Sequence, residues 1–155
     1  MNPPPDEHLA ALARGVEQAY ARVHREHMLG LPVVQPGLRV QMLGLRRWDE
    51  LALGVLVTPW CMNLLALELP GGRSLPRQPV GSPQILRLPS GSYRLLAAHT
   101  QGLGHHLSGS LFSPMHEFAS HELAVQAAQA ALEMVFTPPP PAPDRARRGF
   151  LFGAT

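Results

Sequence analysis

The first clear pattern along the chain is an amphipathic repeat near its start. Apolar residues recur at alternating steps of three and four, at positions 9, 12, 16, 19 and 23, as they do on one face of an α-helix. Asp6 can cap this helix because its carboxylate accepts hydrogen bonds from the first free N–H groups, and Gly30 with Pro32 ends it. The pattern predicts a helix over about residues 5–28.

Between residues 38 and 112 the pattern changes to short β-forming runs. Turn sequences such as "TPW", "PGG", "PSGS" and "QGLG" separate these runs, which begin near residues 38, 50, 63, 84, 93 and 106. Short spacers join antiparallel neighbours, since parallel strands need long crossovers. We therefore expect an antiparallel β-meander of about five to six strands, with one face covered by helices.

A second helical stripe follows the strands and ends at a run of prolines. Its apolar positions are 125, 128, 132 and 135, and Ser120 with Glu122 stands near its start. The segment "TPPPPAPD" then stops the fold as a stiff polyproline stretch. The expectation is one α+β domain over residues 1–137, with residues 1–5 disordered and the C-terminal helix on one sheet face. Residues 138–155 are expected to form a flexible Pro-rich linker and a basic, apolar tail.

Composition and charge favour a protein with an apolar binding surface. Of 155 residues, 45% are hydrophobic and only 15% are charged, so apolar groups are expected at the surface, where large patches mark interfaces. All 13 basic residues are arginines, and they are scattered except at positions 145, 147 and 148. Because no basic track follows from this spacing, binding to nucleic acid is not expected.

The uncharged run at residues 51–67 is close to the shortest length that can span a membrane. Pro59 lies at its centre, Thr58 and Asn63 would be polar groups at mid-membrane, and Glu50 and Glu68 flank it. No membrane span is therefore expected. The chain has one cysteine and its first residues do not resemble a secretory signal, which indicates a reducing, cytoplasmic location.

Cys61 and the histidines are the candidates for chemistry. If "QGLG" is a four-residue turn, Thr100 pairs with His105 and His99 pairs with His106, so that His99 and His106 share a face. Two histidines without a third ligand are weak candidates for a metal site. Cys61 has no base beside it in the sequence and is better explained as a small buried apolar residue.

No carboxylate pair or phosphate-binding loop is apparent. We therefore predict no catalytic residues, no cofactor and no enzymatic activity. A small metal- or thiol-dependent protein that uses Cys61 and His99 with His106 is the alternative.

Four motifs in a fixed order carry a resemblance to a known family. "VLVTPWCMNLL", "LPSGSY", "SLFSPMHEF" and a basic, apolar end resemble the HybE/HupJ family of [NiFe]-hydrogenase assembly chaperones over about residues 6–153. The resemblance implies an accessory chaperone for an uptake hydrogenase. Such a protein would bind precursors of the large subunit, the twin-arginine signal of the small subunit, or both, until the cofactors are in place.

Some members of this family are associated with, or fused to, a rubredoxin. With a single cysteine this chain cannot hold the four-thiolate iron site of a rubredoxin. Any rubredoxin that takes part would be a separate protein.

The motifs predict a groove that binds an extended segment of the client. Trp60, Met62, Phe112 and Met115 would form its apolar wall, while Asn63 and Ser113 would form hydrogen bonds to the client. Burial of Trp60 and both methionines in the core is the competing interpretation. The full set of expected partner-binding residues is Thr58, Pro59, Trp60, Met62, Asn63, Tyr93, Phe112, Ser113, Pro114, Met115, Phe118, Arg147, Arg148 and Phe150.

The tail "RRGFLFG" at residues 147–153 resembles the R-R-x-F-L core of a twin-arginine export signal. One hypothesis is that it mimics the small-subunit signal in the client groove. The interpretation that we favour is that Phe150 and Phe152 pack on the chain's own domain or on a partner. Unchanged affinity for the signal peptide after deletion of residues 145–155, measured by titration calorimetry, would contradict mimicry.

Replacing Trp60 with Ala is expected to weaken client capture and to leave the circular-dichroism melting curve mostly intact, because a side chain that serves binding contributes little to the core. Pull-down of the client and the melting curve are measured on the same variant. A collapse of the melting transition would show that Trp60 is a core residue.

Overall fold

The computed structural model describes residues 5–141, in which two helices flank a six-stranded sheet. The helix α1 (Pro5–Val23) continues into one π-helical turn (His24–Met28), and together they cover the predicted first helix. Among residues 5–141 no helix has the length and apolarity needed to cross a membrane. The remaining elements are β1 (Gln41–Trp48), β2 (Leu51–Val57), β3 (Met62–Glu68), β4 (Pro83–Leu88), β5 (Gly91–Thr100), β6 (Gly104–Phe112) and α2 (His121–Phe136).

The sheet has the strand order β1-β2-β3-β6-β5-β4, and all neighbouring strands are antiparallel. The predicted α+β class is therefore confirmed. The prediction of one continuous meander is wrong, because β4 starts at the far edge of the sheet. Two residues hold the connection to β4 in place. Leu75 is buried. Glu68 Oε2 accepts hydrogen bonds from the Leu75 N–H and from Arg77 Nη1, each at 2.7 Å.

The central strands are buried on both faces, so the two helices cover opposite faces. All residues of β2 are buried. Its odd-numbered residues join the core cluster that contains α2, whereas Ala52 and Leu56 join the cluster that contains Val16 of α1. The expectation that helices cover one face only is thus wrong, because a strand that is apolar on both sides needs cover on both. The packing of α2 on one face is as predicted.

The sheet curls until its two edge strands approach each other. Trp48 at the end of β1 donates its indole N–H to the carbonyl of Arg87 in β4, at 3.0 Å, and its ring packs edge-to-face on Phe136. Gly44, with a φ of 62°, lies at a bulge between Leu43 and Arg46 that helps β1 to bend. The curl brings β1 against the last turns of α2.

Both sheet edges are partly closed by side chains. On β1 the Met42 N–H donates to Glu17 Oε2 of α1 at 2.8 Å. On β4 the Arg87 carbonyl accepts a hydrogen bond from the Trp48 indole, and Pro83 has no backbone N–H. Occupied edges disfavour the addition of another strand, so binding to a partner by strand addition is not favoured.

Replacing Gly44 with Ala should destabilise the fold more than replacing Gly102 with Ala. Both glycines have a positive φ, which costs about 1 kcal/mol for alanine. A β-carbon at Gly44 would also overlap Cδ1 of buried Leu132, whereas a β-carbon at Gly102 would have no atom within 4 Å. Overpacking of this kind costs about 1–3 kcal/mol. Urea unfolding of the two variants measures the difference, and equal losses would contradict the tight contact between β1 and α2.

Candidate functional site

The turn between β2 and β3 is a rigid corner built by one threonine. The buried Thr58 Oγ1 accepts from the N–H groups of Trp60 at 3.2 Å and Cys61 at 2.9 Å, and the Thr58 N–H donates to the Cys61 carbonyl at 2.8 Å. These bonds satisfy the backbone of the turn internally. Trp60 is left half-buried, with its ring 5.7 Å from the ring of His24 in the π-helical turn.

Gln35 ties this corner to two other loops at the same end of the sheet. Its N–H donates to the Pro59 carbonyl at 2.8 Å, and its Nε2 donates to the Phe118 carbonyl at 3.0 Å. The loops before β1, after β2 and after β6 are thereby held together. Nothing in the spacing of the sequence indicated that Gln35 has this role.

The joined loops expose an apolar surface, which we call the turn-end surface. Leu29, Leu31, Val33 and Phe112 are exposed large hydrophobic residues at this end, and Phe112 packs edge-to-face on half-buried Phe118 at 5.3 Å. The first three were not among the binding residues predicted from the sequence. Their signal was the alternation of apolar residues in "LGLPV", between the predicted first helix and the first predicted strand. The turn-end surface consists of Leu29, Leu31, Val33, Trp60, Phe112 and Phe118.

A cavity of about 310 Å³ opens beside Trp60, between α1 and the turn that joins β5 to β6. Behind it Tyr20 donates its hydroxyl to Nε2 of His106 at 2.9 Å and accepts from Thr100 at 3.3 Å. Burial raises the pKa of the Tyr20 phenol, so Tyr20 is neutral at physiological pH. The cavity is lined by Ala19, Tyr20, Arg22, Val23, Glu26, His27, Trp60, His99, Thr100 and Gln101.

Two of the predicted groove residues lie inside the protein. Met62 and Met115 are fully buried in the cluster between the sheet and α2. The prediction that their side chains line a groove is therefore wrong, because the alternation of β3 directs Met62 to the same face as the residues that contact α2. Both are core residues, which was the competing interpretation.

The other predicted residues are distributed along the same end of the sheet. Asn63 donates from Nδ2 to Ser108 Oγ at 2.8 Å, while its Oδ1 is buried with no partner among residues 5–141. Tyr93 is half-buried and forms a 2.6 Å hydrogen bond with Ser90. Ser113 and Pro114 are exposed beside Phe112. Their roles in binding stay predictions, and Arg147, Arg148 and Phe150 lie outside the described residues.

The histidine pair proposed as a metal site does not form. The turn has three residues, so His99 lies opposite His105 and His106 lies opposite Ala98. The predicted register is wrong by one residue, and such a slip moves a side chain to the other face of the sheet. No group of three or more histidine, cysteine or acidic residues within 5–141 could hold a metal ion.

Cys61 has the surroundings of a structural thiol. Its Sγ lies 3.3 Å from Thr58 Oγ1 within the corner. Burial raises the pKa of the Cys61 thiol, and the contact with Thr58 opposes this only in part. A thiol with a raised pKa is protonated at neutral pH and is a poor nucleophile.

Comparison with known proteins identifies the family. A family model described as "[NiFe]-hydrogenase assembly, chaperone, HybE" matches residues 11–153. This chain belongs to that family. The HybE-family assignment confirms the resemblance carried by the sequence motifs.

Named relatives agree with this assignment. The "Hydrogenase expression/formation protein HoxT" of Azotobacter vinelandii is 40% identical over 135 residues, which is 86% of each chain. The "Hydrogenase expression/formation protein HupT" of Azotobacter chroococcum mcd 1 is 40% identical over 142 residues, covering 90% of this chain and 93% of that one. The solution structure of HybE from Escherichia coli has the same fold, with a TM-score of 0.67 at 23% identity over 85% of this chain and 83% of that chain.

The stability of this HybE-family protein should fall as the pH decreases below about 6.5, the usual pKa of histidine. Burial lowers the folded-state pKa of His106, which donates from Nδ1 to the Gly104 carbonyl and accepts from Tyr20, and it also lowers the pKa of His121. The unfolded chain then binds more protons than the folded chain. The resulting stabilisation is complete above the unfolded pKa and is lost as the pH falls towards the folded one.

Thermal melting from pH 7.5 to pH 5 measures this effect. His106→Gln should flatten the dependence in part, because it removes one of the two buried imidazoles. A melting temperature that does not depend on pH in the unmodified protein would contradict the neutral state of these buried histidines.

Proposed function

We propose that this HybE-family chain is an accessory chaperone for the assembly of an uptake [NiFe] hydrogenase in the cytoplasm. It binds a precursor of the large subunit, the twin-arginine signal of the small subunit, or both, until the cofactors are in place. The turn-end surface is the place where the client binds. The observation that carries the proposal is this exposed apolar surface, held together by Gln35, in a member of a hydrogenase assembly chaperone family.

The chemistry of the turn-end surface suits an unfinished polypeptide. Full burial of a leucine or phenylalanine side chain is worth about 1.5–3 kcal/mol. Leu29, Leu31 and Phe112 together can therefore supply several kcal/mol once a client covers them. Exposed apolar segments are available in an incompletely folded precursor and become buried when the subunit is finished.

Rigidity of the surface lowers the entropic cost of binding. The Leu31 carbonyl accepts a hydrogen bond from the Val34 N–H at 3.0 Å. The Gln35 N–H donates to the Pro59 carbonyl and so joins this turn to the corner that carries Trp60. A preorganised surface loses less conformational freedom when it meets its client. The three loops can thus act as one binding site.

The chaperone works by a difference in affinity between two states of its client. Tight binding to the immature conformation and weak binding to the finished one are sufficient to hold and then release it. No covalent bond is made or broken in this cycle. The protonated Cys61 thiol and the separation of His99 from His106 agree with such a role.

The test is the double substitution Leu29→Glu and Leu31→Glu. Client capture should fall more than about tenfold, which corresponds to about 1.4 kcal/mol. The capture is a pull-down from cells that lack the maturation protease, in which the unprocessed precursor accumulates. Antibodies against the two subunits distinguish the large-subunit precursor from the signal-bearing small subunit.

Val80→Glu with Ile85→Glu is the matched control. Leu29 and Leu31 are 63% and 44% exposed. Val80, which precedes β4, and Ile85, which lies within it, are 70% and 59% exposed. The control pair should leave precursor capture unchanged. Equal capture by both double variants and the unmodified chain would overturn the turn-end surface as the client site.

A further inference from the structure

The outward face of α2 carries an apolar stripe that nothing in residues 5–141 covers. The exposed residues Leu123, Ala130 and Met134 follow one another at steps of seven and four, which places them along one side of the helix. Met134 is 72% exposed, and Leu123 is also an exposed large hydrophobic residue. The stripe lies away from the buried side of α2, which contacts the sheet through residues such as Ala128 and Leu132.

The chain leaves the described structure beside this stripe. A shallow groove of about 480 Å³ is bounded by Met134, Ala130 and Glu133 on one side and by residues 137–140 on the other. The Pro-rich segment therefore starts at one end of the stripe. Residues 142–155 continue from there.

The charges of α2 and of residues 142–155 are complementary. α2 bears Glu122 and Glu133, it has no basic residue in its last turn, and within residues 5–141 neither glutamate forms a salt bridge. The end of a helix carries partial negative charge. Residues 142–155, "APDRARRGFLFGAT", contain three arginines and one aspartate.

The same segment has the right apolar content and enough length. "FLF" at residues 150–152 supplies two aromatic side chains, and each can bury about 150–250 Å². Phe150 comes nine positions after Pro141, a reach of up to about 30 Å. Met134 and Leu123 are eleven residues apart on the helix, or about 16 Å. The family model also extends through this segment, to residue 153.

From these observations we infer that residues 142–155 fold back onto the outward face of α2. Phe150 and its neighbours cover Met134 and Ala130, and the arginines lie close to Glu133. The chain thus covers its own second apolar surface, and the turn-end surface stays available to a client. This docking does not depend on the proposed function, because it requires no client.

Disulfide trapping in the purified full-length chain tests the inference. In a Cys61→Ser background, Met134→Cys is combined with Phe150→Cys, and the intramolecular disulfide formed with oxidised glutathione is followed by mass spectrometry of tryptic peptides. Val80→Cys with Phe150→Cys is the matched control, since Val80 is as exposed as Met134. Val80 also precedes β4, at the opposite end of that strand from the Ser90 N–H that donates to the Val135 carbonyl of α2.

The Met134 pair should close at least about tenfold faster than the Val80 pair, because docking raises the local concentration of one cysteine at the other. Its advantage should shrink at high salt or with Glu133→Lys, since exposed charges are screened. Equal rates for the two pairs would overturn the inference. So would disulfides between two chains, which indicate a second copy on α2, or faster closure with Leu31→Cys, which places the segment on the turn-end surface.

Discussion

The fold depends on a central hairpin that is apolar on both of its faces. In β2 and β3 the side chains of one face pack against α2, through Leu53, Val55 and Leu64, and those of the other face include Leu56 and Leu65. A sheet built around such strands is stable only when both faces are covered. This constraint explains why the chain places one helix before the strands and one after them, and why these helices lie on opposite sides.

With both faces covered, the ends of the strands are the part of the sheet that stays accessible. Met62 and Met115, which the motifs had suggested as groove residues, are buried in the core. What remains exposed at one end is a set of apolar side chains from three separate loops, fastened by Thr58 and Gln35. Loops held by a rigid scaffold are common binding sites, since the backbone they use is not needed by the core. Under the proposed function, this division separates the residues that stabilise the fold from those that bind the client.

Several features of the fold and the site could be read from short-range patterns. The first helix, six strands, the Ser120 cap of α2 and the corner at Thr58 all follow from residues within a few positions of one another. Short-range patterns did not predict the register of β5 and β6, which differs from the expected register by one residue. Gly102 and Gly104 both have a positive φ and shorten the turn to three residues, which moves His106 beneath Tyr20 and away from His99. A local sequence of turn-forming residues did not distinguish the two lengths.

The helices and strands, the α+β class and the family follow from the order of amino acids alone, because periodicity and ordered motifs depend on neighbours in the chain. The strand order, the opposite placement of the helices and the composition of the turn-end surface became known only from the folded chain. Each of these depends on contacts between residues far apart, such as Gln35 with Phe118 and Trp48 with Arg87. Apolar character alone could not distinguish buried Met62 from exposed Leu31, because transfer from water is favourable for both side chains. Which of them is buried depends on which surfaces meet in the folded chain.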